Sequence, residues 1–142
     1  MYAREAYEAG KYAFVSDFAR LKILYDEGGI YLDTDIEVVQ NFDEFLRHGA
    51  FIWFEYDRFL ATCLIGAESQ HPMIWDFLWL YENISFQKKS KNDYTTNVAR
   101  IANFLTANFP EFQPNNSFQI LNHHFAIYPQ EIFSPIDDFG KT

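Results

Sequence analysis

Cys63 is the only cysteine among the 142 residues of the chain, so no internal disulfide can form. Set in an apolar run, it reads as a small core residue and not as a nucleophile. No apolar stretch approaches the roughly 18 residues of a membrane-spanning helix, and the opening MYAREAYEAGKYAF lacks the pattern of a signal peptide. These absences point to a cytoplasmic protein, with a peripheral place at a membrane left open. Basic residues are scarce as well: 11 Lys and Arg stand against 20 Asp and Glu, a formal net charge of −9. That balance argues against nucleic acid as a partner, because a phosphate backbone is held by clustered Lys and Arg. Internal repeats and low-complexity tracts are also missing.

What is abundant is apolar and aromatic. Hydrophobic residues make up 49% and aromatic residues 20% of the chain, with 16 Phe and 9 Tyr. This is the composition of a globular protein, and the length fits one domain over residues 1–142 with a core of its own. The stretch around which it is organised is Ser16 to Val39, SDFARLKILYDEGGIYLDTDIEVV. Phe14, Phe18, Leu21, Leu24 and Tyr25 recur three and four apart, as on one stripe of an amphipathic helix. Gly28 and Gly29 then stand where a helix ends in a position tolerant of positive φ. Ile30 to Leu32 follow as a short buried strand, which Ile36 to Val39 is expected to continue past the acidic pair.

Between those two pieces lie Asp33 and Asp35. In an extended backbone, residues i and i+2 project from one face roughly 6.6–7 Å apart, so both carboxylates would address one spot. Two carboxylates in one cleft repel unless a cation joins them, and a hard divalent ion such as Mg²⁺ or Mn²⁺ is the natural occupant. The competing reading is a polar turn leaving a strand, and the tripeptide alone does not separate the two. Asp17 falls within the apolar arc of the helix, with Arg20 on the same flank. A carboxylate aimed at the packed side needs a partner or a ligand. Alternatively, Ser16 caps the helix and Asp17 complements its positive end, which accounts for Asp17 but not for Arg20.

The run SDFARLKILYDEGGIYLDTD resembles the signature of DXD-containing glycosyltransferases of family 32 type, since Ser-Asp-x-x-Arg, Gly-Gly-x-Tyr and Asp-x-Asp occur in order. That group includes capsular-polysaccharide sugar transferases and initiating mannosyltransferases of yeast type, with clostridial glucosylating toxins as distant relatives. The resemblance implies an α/β fold of GT-A type, a Rossmann-like sandwich binding a nucleoside-diphosphate sugar and transferring the sugar to a glycan or lipid-linked acceptor. It implies Asp33 and Asp35 as the catalytic pair. Asp35 would bind Mn²⁺ or Mg²⁺ directly, and Asp33 would face the ribose and sugar, reaching the metal through water. Asp17 and Arg20 would hydrogen-bond the transferred sugar, and Tyr31 would line the nucleoside side. The net charge agrees with a metal, because an acidic protein needs a cation to hold an anionic donor.

Relatives carry an N-terminal strand of Ile-Pro-Lys-Ile-Ile-His type and a C-terminal His-x-x-x-x-Ser-Trp-like segment, neither of which corresponds to anything here. The expectation is therefore the central part of the family domain, truncated at both ends. Ala61 also stands where many relatives have Asn before the Thr. A non-catalytic remnant serving only as a binding or structural piece is the alternative. A phosphotransferase of haloacid-dehalogenase type also uses Asp-x-Asp after an apolar strand. It wants Thr or Val where Glu37 stands, and it does not follow a Ser-Asp-x-x-Arg helix.

Along the rest of the chain, Asn41 and Glu44 resemble a capping box opening a short helix through Leu46. Strands are expected at Ala50–Glu55 and Thr62–Ala67, joined by a turn at Tyr56–Arg58. Pro72 would open a helix with Ile74, Phe77, Leu78 and Tyr81 on its apolar face. Gln87–Asp93 reads as a solvent loop, Tyr94–Phe109 as a helix, and Phe118–Leu121 and Phe125–Tyr128 as strands. The alternation suggests a mostly parallel sheet. His71, His123 and His124 read as structural or surface residues, and Glu55 and Asp57 as a solvated turn. Thr95 to Asn97 reads as a helix cap, and Trp53, Trp75 and Trp79 as core.

Overall fold

The computed structural model describes residues 2–55, 59–82, 87–88, 91–92 and 97–133. A short helix α1 (Tyr2–Glu8) leads into α2 (Tyr12–Glu27), which carries the signature. Strand β1 (Gly29–Leu32), a single 3₁₀ turn (Asp43–Phe45), and strands β2 (Ala50–Phe54) and β3 (Leu60–Ala67) follow. Helix α3 (Pro72–Glu82), a small ribbon of β4 (Gln87–Lys88) and β5 (Lys91–Asn92), and helix α4 (Asn97–Asn108) come next. The described chain closes with β6 (Gln119–Leu121), a 3₁₀ turn, β7 (Phe125–Tyr128) and α5 (Gln130–Phe133).

The five-stranded sheet has the order β1-β3-β2-β7-β6. It is mixed and not mostly parallel: only β2 and β7 run parallel, while β1–β3, β2–β3 and β6–β7 are antiparallel. The reason lies in the connections. β2 and β3 are joined by a link too short for a crossover, and a short link permits only an antiparallel hairpin.

β2 is buried along its whole length, as its unbroken apolar sequence requires of a strand covered on both faces. Its side chains divide by alternation. Ala50, Ile52 and Phe54 enter a larger core with Leu21, Leu24, Phe77 and Leu105 of the helices, while Phe51 and Trp53 join Phe45, Leu64 and Tyr128 on the other face. The β2–β3 register shifts between the Phe51–Gly66 and Trp53–Ala61 pairs. A shift of this kind interrupts the ladder and turns backbone groups toward other partners.

The helix stripes stand where the spacing puts them. Leu21 and Leu24 are buried, with Phe14, Phe18 and Tyr25 packed against the same core. Gly28 takes φ 70° as the helix ends, and a Cβ there would meet Ser69 N at 2.7 Å. Its own N–H donates to Leu24 O at 2.8 Å. In α3, Ile74, Phe77, Leu78 and Tyr81 are buried, but Trp75 and Trp79 are 46% and 54% exposed and are not core. Those two indoles lie on the opposite side of a helix whose buried face is already filled by four large residues. Trp53 alone of the three is buried.

Four local expectations change, the first being Gln87–Asp93, expected as a solvent loop, where β4 and β5 pair as an antiparallel ribbon. The helix starts at Tyr12, so Ser16 lies inside it and does not cap it. Residues 36–39 do not extend β1. Asn41 Oδ1 accepts from Asp43 N at 3.1 Å, but it opens a single 3₁₀ turn and not a helix through Leu46. Tyr56–Arg58, Thr95, Thr96 and the C-terminal residues 134–142 lie outside the described residues.

Candidate functional site

Arg20 is the centre of the site. It is 7% exposed. On a helix, a residue at i+4 lies over the turn before it. Accordingly Arg20 Nε donates to Ser16 O at 3.1 Å and Nη2 to Ser16 Oγ at 3.2 Å. Nη1 crosses to β3, donating to Thr62 O at 2.8 Å and Thr62 Oγ1 at 3.0 Å. Thr62 lies in the stretch where the β2–β3 register shifts, so its carbonyl is turned to the guanidinium. Two carboxylates face the same Nη2: Asp17 and Asp33, each at 3.6 Å. The guanidinium carbon also sits 4.7 Å from the centre of the Tyr31 ring, a cation–π contact.

Tyr31 Oη donates to Asp33 Oδ1 at 2.6 Å. Burial, and after it this bond to a carboxylate, push the phenol up to about 12, so Tyr31 stays a donor through the physiological range. Burial raises the Asp17 carboxyl above its ordinary value, against the opposing pull of Arg20. Asp17, Arg20, Tyr31 and Asp33 therefore form one connected group spanning α2, β1 and the end of β1.

Asp35 makes none of these contacts. Ile36 N donates to Asp33 O at 3.2 Å, closing a turn over residues 33–36, so the pair is not carried on extended backbone. Asp33 remains with Arg20, while Asp35 is exposed, bonds to no described residue, and stands in the wall of a cavity of about 720 Å³. Asp33 N is anchored to Cys63 O at 2.9 Å, fixing the start of the turn against β3. Among the described residues no three His, Cys, Asp or Glu side chains gather into a metal cluster.

Cys63 is half-buried, and burial first, with Asp33 and Glu55 adding to it, pushes its thiol up to about 11. It has no nucleophile's character. His71 is structural. Its Nδ1 accepts from Met73 N at 3.1 Å, capping α3, which leaves Nε2–H to donate to His123 O at 2.9 Å. His123 and His124 take positive φ in the turn that presents that carbonyl, and their side chains are exposed. Glu55 is half-buried at the β2–β3 link, where its N–H donates to Phe59 O at 2.8 Å.

Sequence reasoning found Asp17, Arg20, Tyr31 and the acidic pair. It did not give Thr62 a part, since only the fold brings β3 against α2. Nor did it find the cavity beside Asp35, which α5 and the 3₁₀ turn close from distant parts of the chain.

Residues 2–52 match the glycosyltransferase sugar-binding region containing a DXD motif. That span holds the whole Arg20 group except Thr62, and Asp35 with it. The chain is 25% identical over 136 residues to an uncharacterized glycosyltransferase of Acanthamoeba polyphaga mimivirus, covering 92% of this chain and 53% of that protein. It is 37% identical over 73 residues to lactosylceramide 4-alpha-galactosyltransferase of Mus musculus, covering 44% of this chain and 20% of that enzyme. The chain thus spans about half the length of the first relative and a fifth of the second. No solved structure matches. The matches support a glycosyltransferase of DXD type. Among the described residues no helix is long and apolar enough to cross a membrane.

Proposed function

We propose that the chain is, or forms part of, a divalent-metal-dependent glycosyltransferase of GT-A type, close to the family 32 enzymes. It would move a hexose from a nucleoside-diphosphate sugar to a glycan or lipid-linked acceptor. The observation that carries this reading is the convergence of Asp17, Tyr31 and Asp33 on the buried Arg20, immediately before the turn that presents Asp35. The mouse relative is named for lactosylceramide, in keeping with such an acceptor.

The chemistry of the group suits sugar hydroxyls. A hydroxyl both donates and accepts, so it can donate to the carboxylates of Asp17 and Asp33 and accept from Arg20. Thr62 and Ser16 hold the guanidinium still, which spares the ligand the cost of ordering it. The Tyr31 ring, under the guanidinium and tied to Asp33, would face the nucleoside side of the donor.

The two carboxylates of the turn are hard oxygen donors and fit Mn²⁺ or Mg²⁺, with Asp35 as the direct ligand and Asp33 reaching through water. Mg²⁺ in particular is commonly held by one or two carboxylates, its shell filled by water and substrate phosphate oxygens. When bound, such an ion supplies positive charge against the diphosphate that leaves. Asp35 is exposed and bonds to no described residue, so no existing bond has to be given up.

The test is release of nucleoside diphosphate from UDP- and GDP-sugars by the purified chain with Mn²⁺, compared with Asp35→Ala. Metal-dependent release that falls at least about 100-fold in the variant supports the reading. Equal release by both proteins sinks it, and a well-folded wild type with no release favours a non-catalytic remnant.

A further inference from the structure

Arg20 does not hold its two carboxylates tightly. Its Nε and Nη1 are committed to Ser16 and Thr62, and Nη2 faces both Asp17 and Asp33 at 3.6 Å. A charge-assisted hydrogen bond is shorter, about 2.7–2.9 Å. Asp17 is the more deeply set of the two, its side chain 15% exposed against 32% for Asp33. A carboxylate drawn out of water in this way needs compensating positive charge.

A second cation comes from a distant part of the chain. Arg100 stands in the first turn of α4 and is half-buried. Its guanidinium carbon lies 5.2 Å from the centre of the Tyr81 ring of α3. Tyr81 is buried and meets the ring of Phe18 edge-on, with 6.0 Å between ring centres. Phe18 follows Asp17 on α2, so these contacts put Arg100 where α2, α3 and α4 meet. Its charge acts on Asp17 there: burial raises the Asp17 carboxyl, and Arg20 and then Arg100 pull it back. With Arg100 counted, the group holds one positive charge for each of its two carboxylates.

We propose that Arg100 is a positioning residue of the donor-sugar subsite, holding the Asp17 carboxylate from α4 while Arg20 holds it from α2. The assignment rests on the glycosyltransferase reading, in which Asp17 accepts from a hydroxyl of the transferred sugar. It makes α4 part of the donor site, outside the matched span of residues 2–52. Because Arg100 acts through Asp17, its effect falls on the sugar half of the donor and not on the nucleotide.

The experiment is calorimetric titration of the whole chain, with Mn²⁺, by UDP-glucose, UDP-galactose and GDP-mannose, each compared with its free nucleoside diphosphate. The variants are Arg100→Met, Arg100→Lys, Asp17→Asn, and Asp17→Asn combined with Arg100→Met. Methionine keeps an unbranched stem against Tyr81 and removes the charge, whereas lysine keeps the charge. For the nucleotide sugar that wild type binds, affinity relative to the free diphosphate should fall about tenfold in Arg100→Met, the scale of one hydrogen bond to a charged group. Arg100→Lys should recover most of that loss, and Arg100→Met should add nothing in the Asp17→Asn background. In denaturant unfolding, the double variant should lose less than the sum of the two single losses.

Equal weakening of nucleotide sugar and free diphosphate in Arg100→Met would give Arg100 a merely structural part and overturn the proposal. An undiminished effect in the Asp17→Asn background would do the same, because Arg100 would then not act through Asp17. Strictly additive unfolding losses also overturn it, and that measurement needs no ligand, so it decides the matter even where Arg100→Met is too unstable to titrate. A folded wild type that binds no nucleotide sugar removes the glycosyltransferase reading and this role with it. Nucleotide-sugar binding by wild type that Arg100→Met leaves untouched removes the role alone.

Discussion

Arg20 and Thr62 are 42 positions apart, yet one guanidinium nitrogen of Arg20 donates to both the carbonyl and the hydroxyl of Thr62. This double contact fastens the signature helix to β3, the strand next to the β1 edge of the sheet. It holds Arg20 in place while its other amino group faces Asp17 and Asp33.

Removing that fastening has a predictable cost. Arg20→Ala leaves two half-buried carboxylates without their cation and Thr62 without its donor. Stability should fall by about 3–5 kcal/mol, as when one partner of a buried pair is deleted. Arg20→Lys keeps the charge but not the fork, so it should recover part of the loss. Denaturant unfolding checks both, and an unchanged midpoint for Arg20→Ala would show that Arg20 is not the hub.

Asp17 carries a pH signature. Burial raises its folded pKa above the ordinary 3.8, with Arg20 opposing the shift. Between 3.8 and the raised value the folded state holds more protons than the unfolded chain, so stability falls as pH rises across that interval. Asp17→Asn should abolish this component and lie within about 1 kcal/mol of wild type at neutral pH. It should nevertheless weaken donor binding, because the amide oxygen is an uncharged, weaker acceptor and the amide nitrogen cannot accept from a sugar hydroxyl at all. Unfolding midpoints across the acid range, with donor titration of the same variant, test both halves.

His71 carries the opposite sign. Burial lowers its folded pKa below 6.5, with the bond to His123 O acting against the shift. In the interval below 6.5 the unfolded chain holds more protons, so stability is lost as pH falls through it. The physical event is protonation of Nδ1, which takes the cap acceptor away from Met73 N. His71→Asn, which keeps an N-cap acceptor, should be about 1 kcal/mol less stable at neutral pH but flat below it. An equal loss on acidification in wild type and variant would assign the effect elsewhere.

The parts legible in the sequence were those written in local spacing. The α2 stripe, the stop at Gly28 and Gly29, Pro72 at the start of α3, and β7 at Phe125–Tyr128 all stand where periodicity and turn chemistry put them. Sheet direction does not follow from the alternation of elements. The expected turn at Tyr56–Arg58 already required an antiparallel β2–β3 pair, and local evidence outranks the general pattern there. The acidic pair lies on a turn because Ile36 N bonds back to Asp33 O, a choice that side-chain type does not reveal. Trp75 and Trp79 stand outside the core because an aromatic residue has no required side of a helix once the core is full. Thr62 and the cavity depend on contacts across the fold, which spacing does not encode.

The central claim is that Asp35 holds the metal through which a nucleoside-diphosphate sugar binds. Calorimetric titration of the chain with UDP- and GDP-sugars, with and without Mn²⁺, measures this directly. The account predicts binding that requires Mn²⁺ and disappears in Asp35→Ala, while the unfolding midpoint of that exposed-site variant stays within about 0.5 kcal/mol of wild type. Donor binding by Asp35→Ala at wild-type strength, or binding indifferent to Mn²⁺, would contradict it.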